Sequence, residues 1–409
     1  VALMATFLET LGAKLEYYIP DRYAEGYGVS YMGIDYAHNN NFSLIICLDC
    51  GIKAVEKVAY ATEKNVDFII CDHHRPGDVV PAAIAVLDPK QNDCNYPYKE
   101  LSGCGVGFKL AQAYSLHKGL PFEDLLPLMD LLVISIAADI VPISGENRVM
   151  AFYGLQQLNS HPRIGVQALL NVAGKENQIN ISDVVFGLAP RINAAGRIEH
   201  GKKAVEMLIQ SNPEQAQEKA NYINEHNLTR RELDQQITKE ALEMIVPNAK
   251  STVVFHPDWH KGVIGIVASR LIESHYRPTI VLTESKGMMT GSARSVMGFD
   301  VYDAIDACSD LIEQFGGHKY AAGLTLKKEN LEAFIAKFEE VVCQTTTADM
   351  LTPEIRIDAE LTLDKIDKKL HRILSQMEPF GPGNNRPVFI SKQVKDSGYG
   401  RLIGAEKTH

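Results

Sequence analysis

The chain has 409 residues, of which 45% are hydrophobic and 22% are charged, and its formal net charge is −10. This composition excludes a largely disordered chain, and the length allows two or three domains with separate cores. No run of 18 apolar residues occurs, which argues against a membrane-spanning helix. Residues 1–185 hold 21 acidic against 13 basic residues, so divalent cations are expected to offset the acidity there.

The seven cysteines are scattered along the chain and odd in number. This usage is typical of a reducing cytoplasm rather than of a disulfide scaffold, and no signal peptide is visible. Cys47 and Cys50 form a CxxC pair, but no second pair at zinc-finger spacing accompanies it. Redox or zinc chemistry is therefore the less favoured interpretation of this pair.

The first 150 residues alternate strand-like and helix-like segments. Continuous apolar strands are predicted at 42–48, 66–71 and 83–87, with helical spacing over 53–64 and a buried helix over 125–138. Strand, crossover helix and strand at this spacing predict a parallel sheet with right-handed crossovers.

A long polar helix is predicted over 213–246, because Pro213 suits its first turn and Pro247 follows its end. Its many charges favour a solvated helix between two domains. A second α/β pattern follows, with predicted strands at 252–255, 279–282 and 323–326 and predicted helices near 263–274, 300–314 and 329–342. A polar stretch at 344–349 separates this pattern from a third, incomplete unit.

Acidic and imidazole side chains follow the predicted strands of the first pattern. Asp72, His73 and His74 come directly after strand 66–71, and Asp49 ends the strand before it. Ligands of parallel sheets bind at the carboxyl ends of the strands, and Asp139 follows the buried helix. These residue types predict a site for Mn²⁺, Mg²⁺ or Zn²⁺. The alternative for each residue alone is a helix cap or a surface histidine.

These residues carry a specific resemblance. Asp49-Cys-Gly51, Asp72-His-His74 and Ala138-Asp-Ile-Val-Pro142 resemble the DHH phosphoesterase superfamily. Further motifs narrow the resemblance to its RecJ-type single-strand exonucleases: 20–28, Pro190-Arg-Ile-Asn-Ala-Ala-Gly-Arg197, 259–268, Gly291-Ser-Ala-Arg-Ser295 and 315–323. The resemblance covers essentially the whole chain, with the motifs in the family's order.

The resemblance implies a role for each residue of the predicted metal site. Asp49 matches the carboxylate that bridges two ions, Mn²⁺ or Mg²⁺, and His73 and Asp139 match ligands of one ion. Asp72 matches an acid that orients the histidines from behind, and His74 matches a histidine near the scissile phosphate. The implied reaction is hydrolysis of single-stranded DNA from the 5′ end to mononucleotides, in recombination and repair.

Substrate contacts are also implied. The predicted substrate-binding and phosphate-binding residues are Arg191, Asn193, Arg197, Arg294, Ser295, Gly316, Gly317 and His318. Glycines allow backbone N–H groups to approach a phosphate, and an arginine can pair with it. For the arginines of 190–197 two interpretations remain open: they contact phosphates, or they tie down the interdomain helix. The alternative for the glycine pair is an ordinary turn.

The resemblance implies an α/β fold with a parallel-sheet DHH domain at 1–211 and an interdomain helix at 212–247. A smaller DHH-associated α/β domain follows at 248–345, and the start of an oligonucleotide-binding β-barrel lies at 352–409. Single-stranded DNA is the implied ligand, and a single-strand-binding protein and a helicase are the implied partners.

The chain departs from the family at its start. The family's first motif, an Asp-x-Asp turn that supplies ligands to both ions, is expected just before a helix like the one that opens at Val1, and it does not occur in this sequence. We expect a chain cut from a longer protein, with a weakly bound second ion and impaired activity. Two alternatives remain: a family member for short oligonucleotides or cyclic dinucleotides, and a DNA-binding scaffold without catalysis.

Overall fold

The computed structural model describes residues 1–21, 24–175, 177–198, 200–395 and 398. The first unit contains a three-stranded parallel sheet of β1 (Leu44–Leu48), β2 (Asp67–Cys71) and β3 (Ala85–Leu87), in that order. Leu48 pairs with Cys71, and Cys71 pairs with Leu87, so the three strands end level with one another. This confirms the predicted parallel sheet.

Both faces of this sheet are covered, which explains its unbroken apolar strands. Phe68 and Ile70 point into one apolar cluster, whereas Ile69 and Cys71 point into the main core. The helices of the unit are α1 (Ala2–Thr10), α2 (Tyr31–Asn39), α3 (Val55–Glu63), α4 (Gly103–Lys118), α5 (Met129–Ala138), α6 (Gly145–Ser160), α7 (Ile164–Val172), α8 (Ile181–Asp183), α9 (Ala189–Ile198) and α10 (Lys202–Leu208).

Helix α5 is the centre of the main core. Leu132, Val133 and Ile136 are fully buried, so this helix is apolar on every side and is held by packing. The helix predicted over 125–138 is divided, because a 3₁₀ segment at Phe122–Leu128 contains Pro127 and α5 begins only after it.

Helix α11 (Pro213–Glu243) has 31 residues and begins after Asn212, whose side chain accepts a hydrogen bond from the Gln215 N–H. Its first half contributes Ala216, Ala220 and Ile223 to the main core. Its second half contributes Ile237 and Ala241 to a separate cluster. The helix therefore contributes to two cores, and it begins at Pro213 as predicted but ends at Glu243, three residues before the predicted end.

The second unit is a five-stranded mixed sheet of order β4-β5-β6-β8-β7. Its strands are β4 (Thr252–Phe255), β5 (Thr279–Ser285), β6 (Met288–Arg294), β7 (Gln314–His318) and β8 (Ala321–Leu326), and its helices are α12 (Ile264–Ser274), α13 (Val301–Asp306) and α14 (Leu331–Thr345). Within this sheet as described, β4 and β5 pair in parallel, and the other neighbouring strands pair antiparallel. Strands β6 and β7 were not predicted, and the helix predicted over 300–314 ends at Asp306.

The third unit contains α15 (Lys368–Ser375) and a parallel pair of β9 (Ala359–Glu360) with β10 (Phe389–Ile390). Within the described residues these two strands do not close a barrel, as is expected for the first part of one. None of the described helices is both long and apolar enough to cross a lipid bilayer.

Candidate active site

Two acids lie at the carboxyl edge of the parallel sheet. The Asp49 N–H donates to the Cys71 carbonyl (2.8 Å), and the Asp72 N–H donates to the Leu87 carbonyl (3.0 Å). These bonds extend the strand pairing by one residue and hold both acids at the same rim. Asp49 adopts φ +66°, a left-handed conformation that is uncommon for a residue with a side chain.

His73 brings the predicted metal ligands together. Its Nε2 atom lies 3.1 Å from Asp49 Oδ1 and 3.4 Å from Asp139 Oδ2, and its Nδ1 lies 2.9 Å from the Leu101 carbonyl. Because Nδ1 donates to that carbonyl, the neutral ring offers an unprotonated Nε2 to the two carboxylates. Three acceptors at this spacing need a cation or a proton between them, so the donor set fits a divalent metal ion.

The charges at this edge shift the pKa values of the acids and the imidazole. Burial alone would lower the pKa of His73, but the hydrogen bond to Asp49 and the charge of Asp139 outweigh it and raise the pKa. Burial raises the pKa of Asp139, and the charge of Asp49 adds to this effect while His73 opposes it. Bringing these groups together is therefore unfavourable without a positive charge.

Asp72 is enclosed behind the histidines. Its carboxylate accepts hydrogen bonds from the backbone N–H groups of Ile52, His73 and His74, and from His74 Nδ1 at 2.7 Å. Burial opposes its ionisation, but the bonds from His74 and the backbone prevail and lower the pKa of Asp72 to about 2. The same bond raises the pKa of His74, whose side chain is 60% exposed.

The donor atoms of Asp49, His73 and His74 lie within 4.8 Å of one another. His74 thus belongs to the same cluster as the predicted ligands, with its Nδ1 held by Asp72. The structure brings all five residues of the predicted centre, Asp49, Asp72, His73, His74 and Asp139, to one edge of the sheet.

The start of α4 also contributes to this centre, although its residues were not predicted to do so. Gly103 packs on Asp49 so closely that a Cβ atom there would lie 2.2 Å from Asp49 Oδ1. The hydroxyl of Ser102 caps the helix by accepting from the Gly105 N–H. The run 101–105, with a capping serine and two glycines, was the available sequence signal.

The second unit holds Arg294 and Ser295 at the end of β6. Arg294 is largely enclosed, and its Nη1 donates to the Ser292 hydroxyl (3.1 Å) and the Ala293 carbonyl (2.8 Å). Burial lowers the pKa of Arg294, and the nearby charge of Arg197 adds to this effect. The Ser295 hydroxyl donates to the Phe299 carbonyl, so its proton is used within the turn.

The glycine pair that was predicted to bind phosphate lies in a strand and not in an ordinary turn, which was the alternative. Gly316, Gly317 and His318 form the end of β7, at the outer edge of the sheet, and all three are exposed. His318 and Arg294 both pair with Ala321, on opposite sides of β8. Their backbones are therefore roughly 10 Å apart at the same end of the sheet.

Helix α9 contains the three predicted residues of the 190–197 motif. Arg191 donates to the Asn224 side chain (2.9 Å) and to the carbonyls of Gly187 and Val172, which ties α9 to its neighbours. Asn193 is exposed, and Arg197 Nη1 donates to the Gly262 carbonyl (2.9 Å). Arg191 is therefore held by protein acceptors on three sides.

Further arginines that were not predicted surround the junction of α9, α11 and α12. Arg270 pairs with the buried Asp234 through Nε (2.9 and 3.0 Å) and Nη2 (2.8 Å). Burial lowers the pKa of Arg230, Asp234 opposes this, and Arg197, Arg231 and Arg270 add to it. Among the described residues, the buried Nε of Arg230 has no acceptor.

Three family models match the chain. They are the DHH family N-terminal domain over residues 1–136, the DHHA1 domain over 248–344 and the RecJ OB domain over 357–409. A crystal structure of RecJ in complex with Mn²⁺ from Thermus thermophilus matches 98% of this chain and 58% of that chain, with a TM-score of 0.86 and 28% identity. A structure of exonuclease RecJ bound to manganese matches 84% of this chain and 86% of that chain, with a TM-score of 0.72 and 31% identity.

Curated relatives agree with these matches. The single-stranded-DNA-specific exonuclease RecJ of Bacillus subtilis (strain 168) is 39% identical over all of this chain, which spans 52% of that protein. The protein of the same name from Escherichia coli (strain K12) is 33% identical over 95% of this chain, which spans 71% of that protein. The chain belongs to the RecJ family, as the motifs of the sequence indicated.

Proposed function

We propose that the protein containing this chain is a two-metal-dependent 5′-to-3′ exonuclease that hydrolyses single-stranded DNA to 5′-mononucleotides in recombination and repair. The observation that carries the proposal is the convergence of Asp49 and Asp139 on His73 Nε2 at the rim of the parallel sheet. The relatives are named single-stranded-DNA-specific exonucleases, which supports the substrate class.

The proposal assigns the metal ligands residue by residue. Asp49 would bridge two Mn²⁺ or Mg²⁺ ions, and His73 and Asp139 would bind one of them. When bound, the ions supply a water activated for attack and neutralise charge on the phosphoryl oxygens. The bond from His73 Nδ1 to the Leu101 carbonyl fixes the tautomer and the ring orientation that this binding needs.

Asp72 and His74 would act on the phosphate through charge. Asp72 holds His74 Nδ1 at 2.7 Å and raises the pKa of His74, which favours an imidazolium with an exposed outer nitrogen. A cation fixed in this way beside the scissile phosphate stabilises the negative charge of the transition state without reorganising first. Asp72 is thus proposed to position His74 and not to transfer a proton itself.

The second unit, together with α9 and α11 at its junction with the first unit, would hold the DNA backbone. Arg197 and Arg294 lie together, Asp234 offsets part of the charge of Arg230, and among the described residues the buried Nε of Arg230 has no acceptor. A bound phosphate would balance the excess positive charge. Gly316, Gly317 and His318, with Asn193 and Ser295, would complete the contacts from the exposed strand edge and the adjoining turns.

Each segment of the chain would have a separate role in this function. Residues 1–211 would carry catalysis, 212–247 would link the units, and 248–345 would grip the substrate. Residues 352–409 would begin the barrel that guides the single strand. A single-strand-binding protein and a helicase are the proposed partners, because they supply and expose single strands.

The test is Mn²⁺-dependent degradation of 5′-labelled and 3′-labelled single strands by the full-length protein. His73→Ala and Asp139→Asn are each expected to lower the rate more than about 100-fold while leaving single-strand binding nearly unchanged, since ligands matter more than their supporting groups. His117→Ala and Asp78→Asn, at exposed positions of the same unit, are the matched controls. Near-normal turnover by either site variant would disprove the metal assignment.

A further inference from the structure

The third unit contacts the segment that follows Asp139. The loop 379–384 lies against Pro142 and Ile143, and the Ile143 N–H donates to the Pro382 carbonyl (2.6 Å). Ile143 is 1% exposed, so this bond is shielded from water. Asp139 lies only four residues before the donor, which places the loop one short segment away from a predicted metal ligand.

The contact is too close to accept a side chain. A Cβ atom at Gly381 would lie 2.5 Å from Cγ1 of Ile143, and one at Gly383 would lie 3.4 Å from Cβ of Pro142. Gly383 also adopts φ +75°, which favours glycine. The two glycines therefore allow the loop backbone to pack directly on the segment 139–143.

The loop is itself held in one conformation. Gly381 and Asn384 exchange backbone hydrogen bonds of 3.0 and 2.9 Å. The Asn384 side chain donates to the carbonyls of Met377 and Pro379, both at 2.9 Å. Arg148, in α6 of the first unit, donates to the Met377 carbonyl at 3.0 Å. A rigid loop of this kind can fix the backbone that it contacts.

The segment 139–143 turns at an exposed residue, Ile140. Ile140 adopts φ +56° and is 62% exposed. The Pro142 carbonyl accepts from Tyr98 Oη (3.2 Å) and Asn147 Nδ2 (3.1 Å) on the first unit's side. The Ile143 N–H is bonded from the third unit's side, so the segment is held between the two units.

We propose that the loop 379–384 is a positioning element for Asp139. It clamps Pro142 and Ile143, and thereby keeps the Asp139 carboxylate opposite His73 Nε2, so the third unit contributes to metal affinity in the first. This inference rests on the proposed function, because it takes Asp139 to be a metal ligand.

The experiment measures Mn²⁺ binding by isothermal titration of the metal alone into the full-length protein. Gly381→Ala is expected to raise the Mn²⁺ dissociation constant about tenfold, the scale on which groups behind a ligand act. Arg148→Ala, which removes an anchor without overfilling the contact, is expected to shift it in the same direction by a smaller factor. Asn385→Ala, at an exposed neighbouring position, is the control and is expected to leave the constant unchanged.

A size-compensating pair separates positioning from general damage. Ile143→Ala removes the atom that a Cβ at position 381 would meet, so Gly381→Ala is expected to have little further effect on Mn²⁺ binding when added to Ile143→Ala. Hydrogen exchange of a peptide covering 139–147 is expected to quicken in Gly381→Ala and in Arg148→Ala. Quickened exchange accompanies weaker binding if the loop acts through this segment.

The outcomes distinguish the two proposals. If Asp139→Asn weakens Mn²⁺ binding and both Gly381→Ala and Arg148→Ala bind like the unaltered protein, the positioning role is wrong and the metal assignment stands. If Asp139→Asn itself binds Mn²⁺ normally, the metal assignment is wrong and the loop has no ligand to position. Weaker binding in all three variants, with an unchanged control, supports both.

Discussion

At the scale of single residues, the site depends on side chains whose orientation is fixed by hydrogen bonds to the surrounding protein. Asp72 receives three backbone N–H groups and one imidazole N–H, which makes it the most strongly bonded carboxylate of the predicted centre. His73 is fixed in the same manner by the Leu101 carbonyl. The two histidines proposed to contact metal or phosphate are thus oriented before either binds.

Asp72 gives a prediction for stability against pH. Its pKa falls from an ordinary 3.8 to about 2, so its contribution is present above about pH 4 and is lost as pH falls towards 2. The shift corresponds to about 2 kcal/mol. In metal-free protein, urea unfolding at several pH values is expected to show Asp72→Asn less stable than the unaltered protein near neutrality, with the gap narrowing below about pH 4.

The control for this measurement is Asp67→Asn, because Asp67 is exposed at the start of β2. Its stability is expected to follow that of the unaltered protein at every pH. A constant gap between Asp72→Asn and the unaltered protein down to about pH 3, the low end of ordinary carboxyl titration, would contradict the shifted pKa.

At the scale of elements, the outer strand of the second sheet is built from residues with low strand propensity. Strand β7 includes Gly316 and Gly317, and it exists because it pairs with β8. Gly317 has φ +150°, and a Cβ there would lie 2.4 Å from the Ala321 carbonyl oxygen. Gly316, one residue earlier, has open space around the same position.

This contrast predicts that an alanine substitution is tolerated at Gly316 but not at Gly317. Gly317→Ala is expected to destabilise the protein by about 1–3 kcal/mol, because β7 must move away from β8. Gly316→Ala is expected to change stability by less than about 0.5 kcal/mol. Thermal unfolding of the two variants side by side is the measurement, and equal unfolding temperatures would show that the close packing at Gly317 is wrong.

The elements that could be predicted from the sequence are those whose own residues determine the local backbone structure. Strands β1 to β3 are continuous apolar runs and α11 has proline boundaries, so these could be predicted. Strand β6 and helix α9 contain glycine, serine or proline, and tertiary packing overrides those local preferences. The acids and imidazoles of the centre could be placed because strand ends share an edge. The bond to the Leu101 carbonyl could not be predicted, because a backbone acceptor has no side-chain signature. For the close contact of Gly103 with Asp49, the serine and glycines of 101–105 were the available signal.

At the scale of the whole molecule, a protein of net charge −10 carries a local excess of arginines where its two α/β units meet. Arg197 bonds to Gly262 across this junction, and α11 packs on α12 beside it. The proposed division of labour follows from this arrangement: acidic residues for cations in the first unit, and enclosed arginines for phosphates at the junction.

The arginines give a prediction for the salt dependence of binding. The affinity for a single strand is expected to fall as salt rises, and Arg294→Gln is expected to reduce the slope of log affinity against log salt by about 0.7, the value of one phosphate contact. Arg191→Gln is the matched control, because Arg191 is bonded to protein acceptors. If both variants reduced the slope of log affinity against log salt equally, Arg191 would also contact phosphate.

The length of α11 limits the insertions that related chains can accept in this helix. A helix of 31 residues spans about 46 Å, and each added residue turns everything beyond it by about 100°. Ile223 and Ile237 pack in different cores. Inserting one residue between them would therefore rotate one of these side chains away from the core in which it packs. Insertions of about seven residues, close to two full turns, preserve the angular phase, so length changes in related chains are expected to arise there in such steps.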